Sequence, residues 1–175
     1  QKPREEVTLF LQNTYQEPIK ESLIKEQVQH IKSQGVLTAA SVTPSRVQTF
    51  GITAIEAGLD LLVIQSTVTT KEFISSRSTG LDLKSFCRDI SIPVIVGNCA
   101  TYEVALELMK AGASGILVGI GPGAACTTRA VLGIGIPQIT ATVDAAAARF
   151  DYWKETGRYV TVITDGGMRV GGDIA

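Results

Sequence analysis

The sequence predicts an α/β fold built on a parallel sheet, arranged as a (β/α) barrel or as a doubly wound sheet. From Gly35 onward, short apolar runs alternate with longer stretches of helical period, and brief polar loops join them. This alternation is typical of β–α units whose strands pair in parallel. The runs are apolar at consecutive positions, as in LDLLVIQ and IPVIVGN, which indicates strands that are covered on both faces.

Strands and helices are predicted in turn through this part of the chain. The strands occupy residues 36–42, 59–65, 92–99, 115–120 and 159–164. The helices occupy residues 45–57, 83–89, 102–111 and 139–156. In the third helix, Thr101 supplies a capping hydroxyl, Glu103 suits the positive end of the helix dipole, and Gly112 follows the last turn.

Residues 1–34 have a different pattern. Two helices are predicted, over residues 4–15 and 19–34, with a break at Glu17-Pro18, because proline fits the first turn of a helix. His30 falls in the second, charged helix and is expected at the surface. We therefore divide the chain into a helical lead-in, residues 1–34, and a sheet domain, residues 35–175.

The composition excludes several classes of function. Sixteen basic and seventeen acidic residues give a net charge of −1, so no global field attracts nucleic acid or an anionic membrane. No apolar run approaches the roughly 18 residues of a membrane-spanning helix. Three cysteines and one histidine lack metal-ligand spacing. We expect a cytoplasmic protein in a reducing compartment that binds neither nucleic acid nor membrane.

Glycine-rich or polar segments follow three neighbouring strands, at residues 97–99, 119–123 and 165–167. In a (β/α) barrel the active site lies at the carboxyl ends of the strands, so these segments are expected to form one site. Residues 119–124 superficially match a dinucleotide-binding fingerprint, but Pro122 and the lack of an acidic residue after the next strand argue against it. A loop whose backbone binds an ion or cradles a substrate is the better interpretation.

Cys126 is the candidate nucleophile of this region. A lone cysteine is often only a small buried apolar residue, but the hydroxyls of Thr127 and Thr128 and the charge of Arg129 would favour a thiolate here. The other cysteines fall in helix and strand cores and are interpreted as structural: Cys87 and Cys99.

Asp165 has two interpretations. It could simply shape a turn before two glycines, or its carboxylate could accept hydrogen bonds from a sugar diol. In the second case the N–H groups of Gly166 and Gly167 would suit a phosphate. Together these residues would recognise a ribose 5′-phosphate.

The segments VGNCATYEVALELMKAGASGILVGIGPGAACTTRAVLGIGIPQITA and VITDGGMRVGGDIA resemble the IMP dehydrogenase and GMP reductase family. They are similar to its strands 5 and 6, its catalytic loop and its phosphate loop after strand 7. The resemblance implies a (β/α)₈ barrel, of which this chain covers roughly strands 3 to 7. The family's mobile flap and its strands 1, 2 and 8 are not in the sequence, so we expect a segment of a longer protein.

The resemblance also implies roles for single residues. Cys126 would attack C2 of the purine nucleotide to give a covalent thioimidate, and Thr128 would help to activate ammonia or water. Asp165 would hold the ribose hydroxyls, and Gly166 and Gly167 would contact the phosphate.

Other positions are implied to contact substrate, cofactor and ion. Asn98 would lie near both the substrate and the nicotinamide. The nicotinamide cofactor would lie against three residues after the second predicted strand: Gln65, Ser66 and Thr67. A monovalent cation, potassium, would bind the backbone carbonyls of three residues of the cysteine loop: Gly121, Gly123 and Cys126.

The chain departs from the family pattern at two positions. Ala124 stands where a serine commonly contacts the phosphate, which removes one hydrogen bond. Gln65 stands where the dehydrogenases place an aspartate on the nicotinamide ribose, and a neutral amide is not an acceptor-only carboxylate. This departure argues against the usual use of NAD.

The family's dehydrogenases commonly insert CBS modules before helix 2, whereas residues 1–34 here supply only a short lead-in and that helix. The closest resemblance is to a bacterial branch without CBS modules, often labelled IMP dehydrogenase-related. The expected activity is GMP reductase with NADPH, acting as a tetramer or octamer. The alternatives are IMP dehydrogenase with NAD and a nucleotide-binding regulatory protein without turnover.

Overall fold

The computed structural model describes residues 3–74 and 80–175 of the chain. The strands are β1 Ala39–Val42, β2 Leu61–Gln65, β3 Glu72–Phe73, β4 Leu81–Asp82, β5 Val94–Cys99, β6 Gly115–Val118 and β7 Thr161–Thr164. The α-helices are α1 Arg4–Gln16, α2 Glu21–Ser33, α3 Ile52–Glu56, α4 Leu83–Asp89, α5 Tyr102–Lys110, α6 Thr128–Leu132 and α7 Gln138–Thr156.

One five-stranded parallel sheet organises the domain, in the order β1-β2-β5-β6-β7. β3 and β4 form a separate antiparallel ribbon between β2 and α4. The sheet order follows the chain order in one direction, as in a barrel, whereas a doubly wound sheet reverses its order at a switch point. The predicted α/β class with a parallel sheet is confirmed.

The core lies on one face of this sheet, where Leu62, Ile64, Val96, Ile116 and Val118 are all fully buried. The residues that alternate with them on the opposite face are only half-buried: Leu61, Val63, Ile95 and Leu117. The predicted cover on both faces is therefore not observed among the described residues. Helices α5 and α7 cover one face and pack against each other. The helix α7 makes that contact with small side chains, since three of its alanines are fully buried: Ala141, Ala145 and Ala148.

Most predicted elements are observed, and capping explains where two helices begin. The Thr101 hydroxyl accepts from the Val104 N–H at 3.4 Å and so caps α5. The Asp82 carboxylate caps α4 by accepting from the N–H groups of Lys84 and Ser85. The predicted helices over residues 4–15 and 19–34 correspond to α1 and α2.

The prediction of one helix over residues 45–57 was wrong in detail. The structure has a 3₁₀ turn at Pro44–Arg46, a π-helical segment at Val47–Gly51 and only then α3. Gly51 weakens the helical ladder, because glycine is a poor helix former. A Cβ at Gly51 would lie 3.7 Å from the Val42 side chain and 3.8 Å from Leu62, which are ordinary van der Waals distances.

Three short elements were not predicted: the β3–β4 ribbon, α6 and a 3₁₀ turn at Gly171–Asp173. Each is too short to show a periodic pattern of apolar residues. Helix α2 joins the domain through Val28, which is buried, whereas the apolar side chains of α1 such as Leu9 and Phe10 are exposed. Within residues 3–74 and 80–175, no helix has the length and apolar character needed to cross a membrane.

Candidate active site

A cleft of about 540 Å³ lies at the carboxyl ends of the parallel strands. Its wall brings together residues that follow each of the five strands of the sheet. The lining residues are Ser41, Val42, Thr43, Gln65, Ser66, Thr67, Asn98, Gly119, Ile120, Gly121, Pro122, Gly123, Cys126, Thr128, Asp165 and Gly166. Every site residue proposed from the sequence lines this cleft except Gly167, which lies against Pro122 at its edge.

The loop from β6 to Cys126 depends on glycine at two positions. Gly119 has φ +143°, and a Cβ there would lie 2.5 Å from the Asp165 carbonyl oxygen and 2.8 Å from Oε1 of Gln138. Gly121 has φ +73° and is tightly enclosed by the Arg129 side chain. These close approaches pack the cysteine loop directly against the end of β7.

Cys126 combines exposure with a hydrogen bond that favours the thiolate. Its Sγ lies 3.2 Å from Oγ1 of Thr128, at the start of α6. This hydrogen bond, then the Thr128 backbone N–H and the charge of Arg129, lower the pKa of the Cys126 thiol. Burial instead raises the pKa of the other two thiols to about 11: Cys87 and Cys99. Cys126 is therefore the thiol best suited to act as a nucleophile.

A hydrogen-bonded network in the cleft joins β2, β5 and the segment after β7. Nδ2 of Asn98 donates to the Gly119 carbonyl and to Oδ2 of Asp165, both at 2.9 Å. Nε2 of Gln65 donates to Oδ1 of Asn98 at 3.0 Å and to the same Asp165 oxygen at 3.3 Å. Asn98 is 6% exposed, so the network is anchored in the core.

The segment after β7 has the backbone of an anion site. Gly166 and Gly167 have φ of +84° and +78°, a pair of consecutive left-handed conformations. Among the described residues, neither glycine N–H has an acceptor. Successive free N–H groups of this kind form a concavity that binds phosphate. Ala124, in the neighbouring cysteine loop, has a methyl side chain that cannot donate a further hydrogen bond to such a phosphate.

The carbonyl oxygens proposed as ligands of a monovalent cation fit that role in part. Those of Gly121 and Cys126 accept no hydrogen bond from the described residues, whereas the Gly123 oxygen accepts from the Cys126 N–H at 3.0 Å. No cluster of histidine, cysteine and carboxylate side chains suited to a transition metal occurs in the part of the chain that the structure describes.

Sequence reasoning missed three residues of the site. Ser41 lies near the end of β1 and Thr43 directly follows it, and both line the cleft; polar side chains at the carboxyl end of a strand were an available signal. Gln138 gave no local signal. It is buried beneath the glycine loops and donates to the Val118 carbonyl at 2.7 Å, and its Oε1 has no hydrogen-bond partner within residues 3–74 and 80–175.

Residues 12–175 match the family model described as IMP dehydrogenase / GMP reductase domain. An uncharacterized oxidoreductase of Mycolicibacterium smegmatis is 42% identical over 168 residues, which are 95% of this chain and 45% of the relative. An inosine-5′-monophosphate dehydrogenase of Haemophilus influenzae is 46% identical over 121 residues, 69% of this chain and 23% of that enzyme. The chain therefore spans less than half the length of these relatives.

A solved structure gives the same result. The crystal structure of an IMP dehydrogenase/GMP reductase-like protein from Corynebacterium glutamicum matches with a TM-score of 0.80 at 38% identity. The match covers 89% of this chain and 40% of that one. It confirms the predicted fold class, and this chain carries only part of that fold. The chain belongs to the IMP dehydrogenase/GMP reductase family of oxidoreductases.

Proposed function

We propose that the protein is a GMP reductase that converts GMP to IMP and ammonia. The observation that carries this proposal is the exposed Cys126, with its lowered pKa, in the same cleft as the Asp165 carboxylate and the free glycine N–H groups. The Cys126 thiolate adds to C2 of the purine, the amino group takes up one proton from solvent, and the C2–N bond breaks as ammonia leaves. A nicotinamide cofactor bound beside the nucleotide would supply the hydride to C2, and the C2–S bond then breaks to return the Cys126 thiolate.

The neighbouring side chains bind and orient the nucleotide. Asp165 accepts from the ribose hydroxyls, and the N–H groups of Gly166 and Gly167 bind the 5′-phosphate. Thr128 hydrogen-bonds the sulfur, so it is proposed as the second catalytic residue, which assists the departure of ammonia. Fixing the ribose and phosphate places C2 against Sγ, and this positioning supplies much of the rate enhancement.

The nicotinamide cofactor is proposed to bind beside Gln65, Ser66 and Thr67 at the end of β2. Thr67 is exposed, whereas the Ser66 hydroxyl is occupied by the Val68 carbonyl at 2.6 Å and by Thr69 at 2.8 Å. Thr67 is therefore the better candidate for a direct contact. NADPH is preferred to NAD as the cofactor because an uncharged amide, that of Gln65, stands at this position. The cysteine loop is separately proposed to hold potassium.

IMP dehydrogenase with NAD is the second candidate function. Its support is the 46% identity to the Haemophilus influenzae enzyme. The remaining proposals are a helical lead-in at residues 1–34, a cytoplasmic location, and a homo-oligomer of four or eight copies.

Two assays test the proposed function. The full-length polypeptide that carries residues 1–175 is purified and supplied with GMP and NADPH, and separately with IMP and NAD, while the oxidation state of the nicotinamide is followed at 340 nm. We expect turnover in the first assay. Turnover in the second assay alone would reject GMP reductase in favour of IMP dehydrogenase, and turnover in neither would favour the regulatory alternative.

Replacing the proposed nucleophile tests the covalent step. Cys126→Ala is expected to abolish turnover and to leave nucleotide binding largely intact, because the ribose and phosphate contacts remain. Mass spectrometry is expected to find a nucleotide adduct on Cys126 in the unmodified protein and none in the variant. Cys87→Ala is the matched control, since that thiol lies outside the cleft. Substantial turnover by Cys126→Ala would reject the mechanism.

A further inference from the structure

We propose that Gln65 is a positioning residue for the nucleotide site, because its side-chain amide holds Asp165 in the orientation that meets the ribose hydroxyls. This role is additional to the cofactor contact that the family resemblance implies for the same residue, and it rests on the proposed function. The carboxylate on which it acts follows β7, 100 positions away in the sequence. Gln65 would thus couple the cofactor side of the cleft to the nucleotide side.

Two groups that can only accept hydrogen bonds fix the direction of the network. The Gly119 carbonyl and the Asp165 carboxylate each lie 2.9 Å from the same end of the Asn98 amide. That end must be the donor nitrogen, which leaves Oδ1 of Asn98 as an acceptor on its other side. Because Oδ1 lies 3.0 Å from Gln65, the Gln65 amide must present its NH₂ group to the network.

The network saturates both amide nitrogens. Gln65 and Asn98 donate together to one oxygen of Asp165, Oδ2, from β2 and β5. Among the described residues, Oδ1 of Asp165 and Oε1 of Gln65 have no hydrogen-bond partner. One carboxylate oxygen is therefore held by the protein, and the other is left for a ligand hydroxyl. The Oε1 atom of Gln65 is a second, uncharged acceptor beside the Asp165 carboxylate.

A glutamine suits this position because a carboxylate would oppose Asp165. Glutamate at position 65 would replace two N–H donors by negative charge within hydrogen-bonding distance of Oδ2. The described residues that line the cleft include two titratable groups, Asp165 and Cys126, and neither lysine nor arginine. No cation from this lining would neutralise a second carboxylate.

The first experiment exploits that repulsion. GMP and IMP binding are measured by calorimetry at pH 8 and pH 5.5 for the unmodified protein, Gln65→Glu and Gln65→Met, with Gln29→Glu as the control. Gln29 is exposed on α2 and undergoes the same change of charge. The ratio of variant to unmodified dissociation constants is compared at each pH, because the nucleotide phosphate itself titrates near pH 6.

For Gln65→Glu we expect binding weakened about tenfold or more at pH 8, since a hydrogen bond to a charged group is lost and repulsion is added. At pH 5.5 the ratio is expected to be lower than at pH 8, because lowering the pH favours the protonated, uncharged form of the added carboxyl and so reduces the repulsion. Gln65→Met is expected to have a ratio independent of pH, and Gln29→Glu a ratio near one. A Gln65→Glu ratio near one at pH 8 overturns the inference.

A double-mutant cycle tests the same role without the added charge. Gln65→Met, Asp165→Asn and the double variant are compared for nucleotide affinity, with thermal unfolding to confirm that each is folded. If Gln65 acts through Asp165, Gln65→Met has little further effect once Asp165 is changed. Additive losses would show an independent contact and overturn the inference. Failure of the unmodified protein to bind either nucleotide would instead reject the proposed function.

Discussion

At the scale of single residues, the environment of each thiol sets its chemistry. Cys87 and Cys99 are held protonated by burial, whereas Cys126 lies in an exposed loop beside a hydroxyl and a guanidinium. The Thr128 hydroxyl has the largest effect on Cys126, ahead of the charge of Arg129. Local hydrogen bonding therefore accounts for more of the nucleophile's activation than the nearby positive charge.

Thr128→Val is expected to shift the reactivity of Cys126 to higher pH. Removing the hydroxyl raises the thiol's pKa, so the thiolate appears only at a higher pH than in the unmodified protein. The rate of iodoacetamide labelling at Cys126, followed by mass spectrometry across pH, gives the midpoint. Thr127→Val is the control because its hydroxyl does not contact the sulfur. An unchanged midpoint in Thr128→Val would contradict the prediction.

Asp165→Ala is expected to weaken GMP or IMP binding by one to two decades. A hydrogen bond from a hydroxyl to a charged acceptor is worth about 1.5 to 3 kcal/mol, which corresponds to that range. Calorimetry measures the loss, with Asp144→Ala on the outer part of α7 as the control. If affinity is unchanged, Asp165 serves only to shape the turn before the two glycines.

At the scale of elements, the site depends on how closely β5 approaches β6. A Cβ at Gly97 would meet the Cβ of Leu117 and would lie 2.6 Å from the Leu117 carbonyl oxygen. The next residue along β5 is Asn98, the centre of the polar network. The absence of a side chain at Gly97 therefore permits the strand spacing that places Asn98 beside Asp165.

Gly97→Ala is expected to destabilise the fold and to disturb the site together. Inserting a methyl group against backbone atoms costs about 1 to 3 kcal/mol or more, because the strands must separate. Urea unfolding measures the stability, and calorimetry measures nucleotide affinity. Gly172→Ala is the matched control, since a Cβ there meets nothing within 4 Å and its φ is not in the left-handed region. Equal stability of the two variants would show that the strands accommodate the methyl group.

At the scale of the whole molecule, the sheet has an open edge at each end. Within the described residues, β1 pairs only with β2, and β7 pairs only with β6. An apolar groove of about 810 Å³ lies between α2 and β1, and Leu37 just before β1 is 88% exposed. Unpaired strand edges and apolar surface of this kind favour association.

Residues 1–175 expressed by themselves are therefore expected to associate or to unfold partly, and to lack GMP reductase activity. Light scattering during chromatography and thermal unfolding give the measurement. Leu37→Lys is expected to reduce association, because a charge beside an edge strand opposes pairing. Val143→Lys, at an exposed position on α7, is the control. An active monomer that unfolds cooperatively would contradict the prediction.

The sequence by itself determined the α/β class, the positions of the five parallel strands, the cysteine loop and the Asp-Gly-Gly segment. These features are local, because apolar runs, glycine-rich loops and helix caps are each specified by neighbouring residues. Only the tertiary structure decided that Gln65, Asn98 and Asp165 form one network, and that Gln138 lies beneath it. Those contacts join residues from different strands and helices, so they depend on the register and spacing of the sheet, which no single stretch of sequence encodes.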